Sequence, residues 1–581
     1  MSAHRMDKKL IEWINESVET GIEPIDIAAA VAREIAETKN LPSCEHRPKL
    51  LTRGVAIAPQ LLVYTPDLIG ASYERSLDST KRRHAGVHYT PFPVAKKLAQ
   101  IALKHSRIGP ICDPSVGGGV FLLAVAESLK EMGENPEKIV KDLLWGIDLD
   151  PGAIEVTEAA LSLWGSTTKW IVPAGNLAVA DSLEVGRKAF QNTPKEGFEL
   201  VIGNPPFQNQ LQEQTVRPIE ITHELRKRWA VNAGPYADTA GYFLLVALSM
   251  LSPGGKLFLI QPQSILSTAD AKPIREKLDK EASLFGLWIG GPNIFEADVN
   301  VCAPLITKGP ASDSVLIWEG KEVNKCANQL KRGDNWAKAI SIVQGVPNVF
   351  LSGLEMRIRA PATAGFRDQY YGLIQHVSEC NQVSPTMVPL ITVGMIDPLR
   401  NRWGTGKFRF AGKAWDHPMV NLETLAKENP ELHEWVTNRL KPKVLVATQT
   451  KILEVLPDPE GILVPSTPAI SVECSVEDIW RVAAALSAPA VSANSFSATA
   501  GSALSVDTIK LSAKQVNEIP LPEDSESWNQ AAHFAKKAFL AETEDQWLGF
   551  LTKMAEKMGQ AYRTESPSLQ EWWESRVPGW R

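Results

Sequence analysis

Residues Ile111–Leu123 read ICDPSVGGGVFLL. A short apolar run ends in an acid and a proline, crosses three glycines and enters a second apolar run. A strand that stops at an acid, a glycine turn and a helix is how an α/β unit opens. Glycine lets backbone approach a ligand closely, because no Cβ stands in the way. A phosphate-binding loop would carry GxxxxGK[ST], and no lysine follows this turn. An acid at the strand end suits a cationic ligand instead.

Outward from this turn, apolar strands alternate with amphipathic helices from about 86 to 320. The apolar runs at 110–112, 143–147, 200–202, 256–260, 285–289 and 299–301 are candidate strands. Residues 92–105, 119–132, 151–163, 239–251 and 271–281 have helical spacing. This alternation predicts a doubly wound α/β sheet, whose ligands sit beyond the carboxyl ends of the strands. Three further motifs fall at such ends. In LLWGIDLDP (143–151), Asp148 is placed to accept from a ribose hydroxyl pair, and Asp150 caps the next helix before Pro151. Asp181, at the third strand, could reach an adenine amino group; taken alone it reads as a surface loop acid. In ELVIGNPPF (199–207), two prolines fix φ and remove two backbone donors, ending the strand in a stiff corner. The Asn204 side-chain oxygen and the carbonyl between the prolines can together accept both hydrogens of one –NH₂ group. Phe207 can stack on a flat ring.

The chain of 581 residues is too long for one ordinary core, so two or three domains are expected. Hydrophobic content of 44% and charged content of 22% are those of a soluble globular protein. No apolar run reaches membrane-spanning length and the first residues lack a signal-peptide core, so no membrane association and a cytoplasmic location are expected. Six scattered cysteines without a CxxC exclude a zinc-finger pattern, and no metal is expected. Net charge is −6, so nucleic-acid binding would need a local basic face. Residues 396–451 offer one: Arg400, Arg402, Lys407, Arg409, Lys413, Arg439, Lys441, Lys443 and Lys451, interleaved with Trp403, Phe408, Phe410 and Trp415. A solvated, loop-rich surface has the same composition.

The ordered set resembles the S-adenosylmethionine-dependent N6-adenine DNA methyltransferases of restriction–modification systems, the TaqI-like gamma-type group. The resemblance rests on Gly86-Val87-His88-Tyr89-Thr90-Pro91, then Asp113 to Phe121, Asp148, Asp181 and Asn204 to Phe207. It continues through Asp238 to Phe243, the LSPGG turn at 251–255 and Asn293 to Ala297, and fades into a C-terminal region ending near 516–522. It implies a Rossmann-like methyltransferase domain, 86–330, behind a helical N-terminal extension, 1–85. A mixed α/β target-recognition domain, 340–522, and a C-terminal helical segment, 523–581, follow. It implies S-adenosylmethionine as cofactor, held by Thr90, Asp113, Pro114, Ser115, Gly117, Gly119, Phe121, Asp148, Leu149, Asp181 and Asn204. Asn204, Pro205, Pro206 and Phe207 would carry methyl transfer to a flipped adenine, with Phe295 at its edge. Arg400, Arg402, Lys407, Lys441 and Lys443 would contact double-stranded DNA. A separate restriction endonuclease or other defence-system subunit is an implied partner; the chain shows no PD…(D/E)xK set of its own. The same –NH₂ chemistry serves rRNA guanine-N2 and protein-glutamine methyltransferases, and a catalytically silent DNA-binding subunit would keep the same fold. Residues 487–505, small and low in complexity, read as a flexible loop.

Overall fold

The computed structural model describes the chain except residues 1–5, 7, 42–46, 55, 62, 78–89, 208–218, 232, 235–236, 292–293, 295–298, 311–312, 352–365, 503–504, 506, 524 and 580–581. It divides into two compact units, 1–339 and 340–581.

The first unit is built on one mixed sheet. Its strands are β1 (Ile111–Asp113), β2 (Leu144–Asp148), β3 (Leu177–Val179), β4 (Phe198–Gly203), β5 (Leu251–Leu259), β6 (Gln261–Pro262), β7 (Ser283–Ile289), β8 (Val301–Thr307), β9 (Ser314–Glu319), β10 (Asn324–Lys325) and β11 (Leu330–Lys331). The order is β10-β9-β7-β8-β5-β4-β1-β2-β3, with β6 on β8 and β11 on β9. Strands β3, β2, β1, β4 and β5 run parallel, and β8 enters reversed between β5 and β7. The central strands are buried on both faces, as parallel strands under helices must be. From β1 the chain winds outward through β2 and β3, then crosses to the other side of β1 for β4 and β5. That places the ends of β1, β2 and β4 together at the switch point where open α/β sheets bind ligands.

The helices that matter here are α1 (Lys8–Glu19), α2 (Pro24–Thr38), α3 (Asp67–Ser76), α4 (Phe92–Lys104), α5 (Val120–Glu131) and α6 (Pro151–Gly165). The N-terminal helices are not an appendage. Ile27, Val31, Leu68 and Ile69 belong to the same buried cluster as Phe121, Leu200 and Trp288. Helix α2 packs on α3 and α6, and α3 packs on α6.

The second unit has a four-stranded sheet, a three-stranded sheet and two separate two-stranded ribbons, with helices Glu526–Phe539 and Glu544–Tyr562 packed as a pair. The segment read as a flexible loop is instead helix Pro489–Thr499, with Ala490, Val491, Ser492, Ala493 and Phe496 buried. Small side chains carry little hydropathy but permit close packing: the Ser492 hydroxyl accepts the Leu453 N–H at 3.1 Å.

Among the described residues, no helix is long and apolar enough to cross a membrane.

Candidate active site

The glycine turn after β1 spends its backbone donors on carboxylates. Ser115 N–H donates to Asp113 Oδ1 at 3.0 Å, Gly117 N–H to Asp148 Oδ2 at 2.8 Å and Gly118 N–H to Glu74 Oε1 at 2.9 Å. The other two donors, on Val116 and Gly119, bond the Ile147 and Val116 carbonyls at 2.9 Å each. Three acids from three elements thus surround the loop. A loop whose N–H groups already serve internal anions cannot cradle a phosphate in the way of a P-loop. The site is acidic and suits a cation.

Burial sharpens this. Asp113 is 1% exposed, and desolvation first, then the charges of Asp148 and Glu74, push its carboxyl up to about 8 against the opposing Ser115 hydrogen bond. Asp148 is raised as well, chiefly by desolvation, against hydrogen bonds from the Asp150 and Gly117 N–H groups. A bound positive charge would relieve both.

Glu74 belongs to no motif, and sequence reasoning misses it. It lies on α3, which presses on the turn: a Cβ on Gly118 would fall 2.5 Å from the Gly70 Cα, and one on Gly70 would fall 2.2 Å from the Gly118 carbonyl oxygen. Tyr73, on the same helix, donates to Asp150 Oδ2 at 2.6 Å. Asp150 in turn caps α6 through the Gly152 N–H. The only sequence signal is Gly70, Tyr73 and Glu74 at 3- and 4-residue spacings, the spacings that share a helix face.

The strand that ends in NPPF reaches the same place. Its last residue, Gly203, passes so close to β1 that a Cβ there would sit 2.3 Å from Asp113 Oδ1. Beyond it, Asn204 Nδ2 donates to Thr90 Oγ1 at 3.0 Å. In this arrangement the nitrogen end of the amide meets the Thr90 hydroxyl and the oxygen end is the acceptor. Thr90 is buried, while Gly86 to Tyr89 and Phe295 lie outside the described residues. Pro205 is buried and Pro206 half-buried. Phe207 is 7% exposed and part of the core cluster, so stacking on a base requires its surroundings to open.

On the opposite side of the turn, Leu149 and Val179, after β2 and at the end of β3, are 71% and 52% exposed. Large apolar side chains standing in solvent beside a ribose-type acid suit the flat faces of a nucleoside. Asp181 caps the turn that follows β3, accepting the Leu183 N–H at 2.8 Å, and Ser182 ties that turn to the Pro114 carbonyl at 2.5 Å. Ser115 Oγ is buried with no hydrogen-bond partner among the described residues, a place for a polar ligand atom. These features fit S-adenosylmethionine, whose sulfonium and ammonium are cationic and whose adenosine is flat with a ribose diol. Gly119 serves packing: with φ +84° it starts α5, and a Cβ would lie 3.0 Å from Thr157 Oγ1. Phe121 corrects the sequence reading, since in the first turn of α5 it is 1% exposed and packs into the core instead of framing a ligand's adenine.

The cations expected to meet DNA fare unevenly. Lys443 is fully buried and paired with Asp458 at 2.5 Å, so it cannot serve as a phosphate contact. Arg400 pairs with Glu544 at 2.6 Å, Arg402 with Asp397 at 3.0 Å and Lys441 with Glu473 at 2.8 Å. Lys407 is exposed.

Among the described residues, no cluster of three or more His, Cys, Asp or Glu is arranged to hold a metal ion. Residues 64–342 match the family model described as N-6 DNA methylase. The chain is 26% identical over 200 residues to the defense against restriction protein B of Escherichia phage P1, covering 34% of this chain and 7% of that protein. It is 21% identical over 216 residues to the type II methyltransferase M.AccI of Acinetobacter calcoaceticus, covering 37% of this chain and 35% of that one. The chain therefore matches only about a third, or far less, of these relatives' lengths. The solved structure of the type IIL restriction–modification enzyme MmeI in complex with DNA superposes over 98% of this chain and 92% of its own, with a TM-score of 0.57 at 12% identity, which shows a shared fold. The match to the N-6 DNA methylase model thus covers the segment in which the glycine turn, its ring of acids and the NPPF corner converge.

Proposed function

We propose that the protein methylates the N6 amine of adenine in duplex DNA, as the modification component of a restriction–modification or phage-defence system. The carrying observation is the Asn204–Thr90 hydrogen bond beside the Gly203–Asp113 contact, which joins an amine-gripping corner to an acidic, cation-ready turn.

S-adenosylmethionine, when bound, supplies an electrophilic methyl group on a sulfonium. The residues do the rest. Asp113 would meet the donor's ammonium, Asp148 would accept from the ribose hydroxyls, and Leu149 and Val179 would cover the adenine. The exocyclic amine of adenine is a poor nucleophile because its lone pair is delocalised into the ring. Asn204 Oδ1 and the Pro205 carbonyl accept its two hydrogens, favour a pyramidal nitrogen and localise that lone pair. Acceptors fixed in advance stabilise the positive charge that develops on nitrogen and require no reorganisation. The Thr90 contact anchors the asparagine side chain beside the turn. The proton departs after transfer, so no strong general base is assigned. A base inside a duplex cannot reach such a corner and must be extruded, at a cost of roughly a few kcal/mol. Phe207 would stack on it once uncovered.

The test is transfer of labelled methyl groups to duplex DNA, ribosomal RNA and a glutamine-bearing release factor in parallel, followed by nucleoside digestion. Label in N6-methyladenine from DNA supports the reading. Label in guanine or in protein, or none at all, refutes it.

A further inference from the structure

Six of the ten cations in residues 396–451 are already engaged inside the second unit. Four are the Arg400, Arg402, Lys441 and Lys443 pairs described above. Lys451 pairs with Asp507 at 3.2 Å, and Arg439 is buried with its guanidinium 3.9 Å from the Trp435 ring centre. Four remain exposed with no carboxylate partner among the described residues: Lys407, Arg409, Lys413 and Lys427. The first three fall on one element, the hairpin of Phe408–Phe410 and Lys413–Trp415, while Lys427 stands alone on helix Leu422–Glu428.

This hairpin is a two-stranded ribbon that joins no larger sheet. Its two-residue turn has Ala411 at φ +52° and Gly412 at φ +77°, the pair of left-handed residues that matches the twist of a tight hairpin. Alanine in that region costs about 1 kcal/mol or more. Its N–H is held by the Tyr370 hydroxyl at 3.0 Å. The aromatics interleaved with these cations are the footing. Phe410 is buried, and Trp415 Nε1 donates to the Phe410 carbonyl at 3.0 Å. Trp403 Nε1 donates to the Pro418 carbonyl at 3.1 Å. Because side chains alternate along a strand, Lys407 and Arg409 share the face opposite Phe408 and Phe410, and the residue across from Arg409 is the small Ala414. Lys413 stands at the tip.

We infer that the 407–415 hairpin is the element of this chain that engages double-stranded DNA. An isolated two-stranded ribbon fits the major groove, and unpaired Lys and Arg on it complement phosphates and base edges. The inference deepens the proposed function and rests on it for the choice of partner. Paired cations would have to give up a carboxylate before contributing; these three would not.

The test uses the full chain and measures the salt dependence of duplex DNA binding for wild type, K407Q/R409Q/K413Q and K441Q. Each phosphate that is no longer neutralised flattens the log–log salt slope by roughly 0.9. The triple variant should therefore have a slope shallower by about two to three, with S-adenosylmethionine affinity retained, and K441Q should match wild type. A triple variant with the wild-type slope overturns the hairpin assignment while leaving DNA methylation standing. Absence of methyl transfer to DNA by wild type, in contrast, overturns the function. Lysine acetylation of the wild-type protein, read by mass spectrometry, needs no variant to fold. Protection of Lys407 and Lys413 by added duplex supports the inference, and unchanged reactivity of both overturns it.

Discussion

Glu74 offers the sharpest test of how the acidic turn is held. Replacing it with alanine leaves the buried Gly118 N–H without its acceptor, 2.9 Å away in the native chain. Stranding a buried donor costs about 1–3 kcal/mol. If the turn must be in place for the methyl donor to bind, that corresponds to roughly 5- to 150-fold in affinity. Glu74→Gln keeps an acceptor oxygen and removes only the charge, so it separates hydrogen bonding from electrostatics. The charge has its own signature, through Asp113. Its folded carboxyl lies at about 8 against an ordinary 3.8, so between about pH 4 and pH 8 the folded protein holds a proton the unfolded chain has released. Raising pH through that window therefore lowers the stability of the ligand-free protein. A cation bound beside Asp113 favours the ionised form and expels the proton, so donor affinity climbs as pH rises toward about 8, by at most about tenfold per unit. Glu74 is one of the charges that raise Asp113. In Glu74→Gln the climb should begin at lower pH, with less proton release at neutral pH. Calorimetry of S-adenosylmethionine binding in two buffers of different ionisation enthalpy measures affinity and released protons together. Wild-type affinity and melting temperature in Glu74→Ala, with an unshifted pH profile in Glu74→Gln, would refute the reasoning.

Three further outcomes are expected. Asn204→Ala should slow methyl transfer by about 10²-fold or more, as loss of a preorganised partner at the reacting centre does, while donor binding stays intact; single-turnover rates and binding isotherms report the two separately. In Gly203→Ala, the new methyl would lie 2.3 Å from Asp113 Oδ1, so the acid or the strand must move. Overpacking of this kind costs about 1–3 kcal/mol, to be seen as a lowered melting temperature together with weakened donor binding. Lys443→Met strands the buried Asp458 carboxylate and should destabilise the protein by about 3–5 kcal/mol in denaturant titrations, without altering the salt slope of DNA binding.

What the sequence disclosed follows from what local pattern can encode. Apolar runs bounded by Gly, Pro and Asp located β1, β2 and β4 to within a residue or two, because a strand buried on both faces has no alternative composition. The reversal of β8 was not legible, since strand direction is set by the connection and not by the residues in the strand. β3 was missed as a buried run because its three residues are only partly covered. The acids at strand ends were visible, as were Asn204 and its prolines. Glu74 was not: its link to Gly118 spans 44 residues and depends on two helices meeting glycine to glycine. Composition likewise marked the cations in 396–451 but could not sort those already paired from those still open, because an ion pair such as Arg400–Glu544 joins residues 144 apart.

The acidic turn also constrains how such a protein can hold DNA at all. Glu74, Asp113 and Asp148 consume the donors that a glycine turn in an α/β fold would otherwise offer to an anion. The same charges that favour a sulfonium repel a phosphodiester, and the chain as a whole carries −6. The reacting centre therefore cannot be the source of affinity for a polyanion; it can only select, by the corner at 204–207, which base is accepted once delivered. Affinity must come from cations not neutralised within the protein. It follows that donor binding and DNA binding should respond oppositely to added negative charge and separately to salt: weakly for a buried, internally paired site and steeply for an exposed basic ribbon. A protein in which both responded alike would have its DNA contacts in the acidic turn, and the division of labour argued from these residues would be wrong.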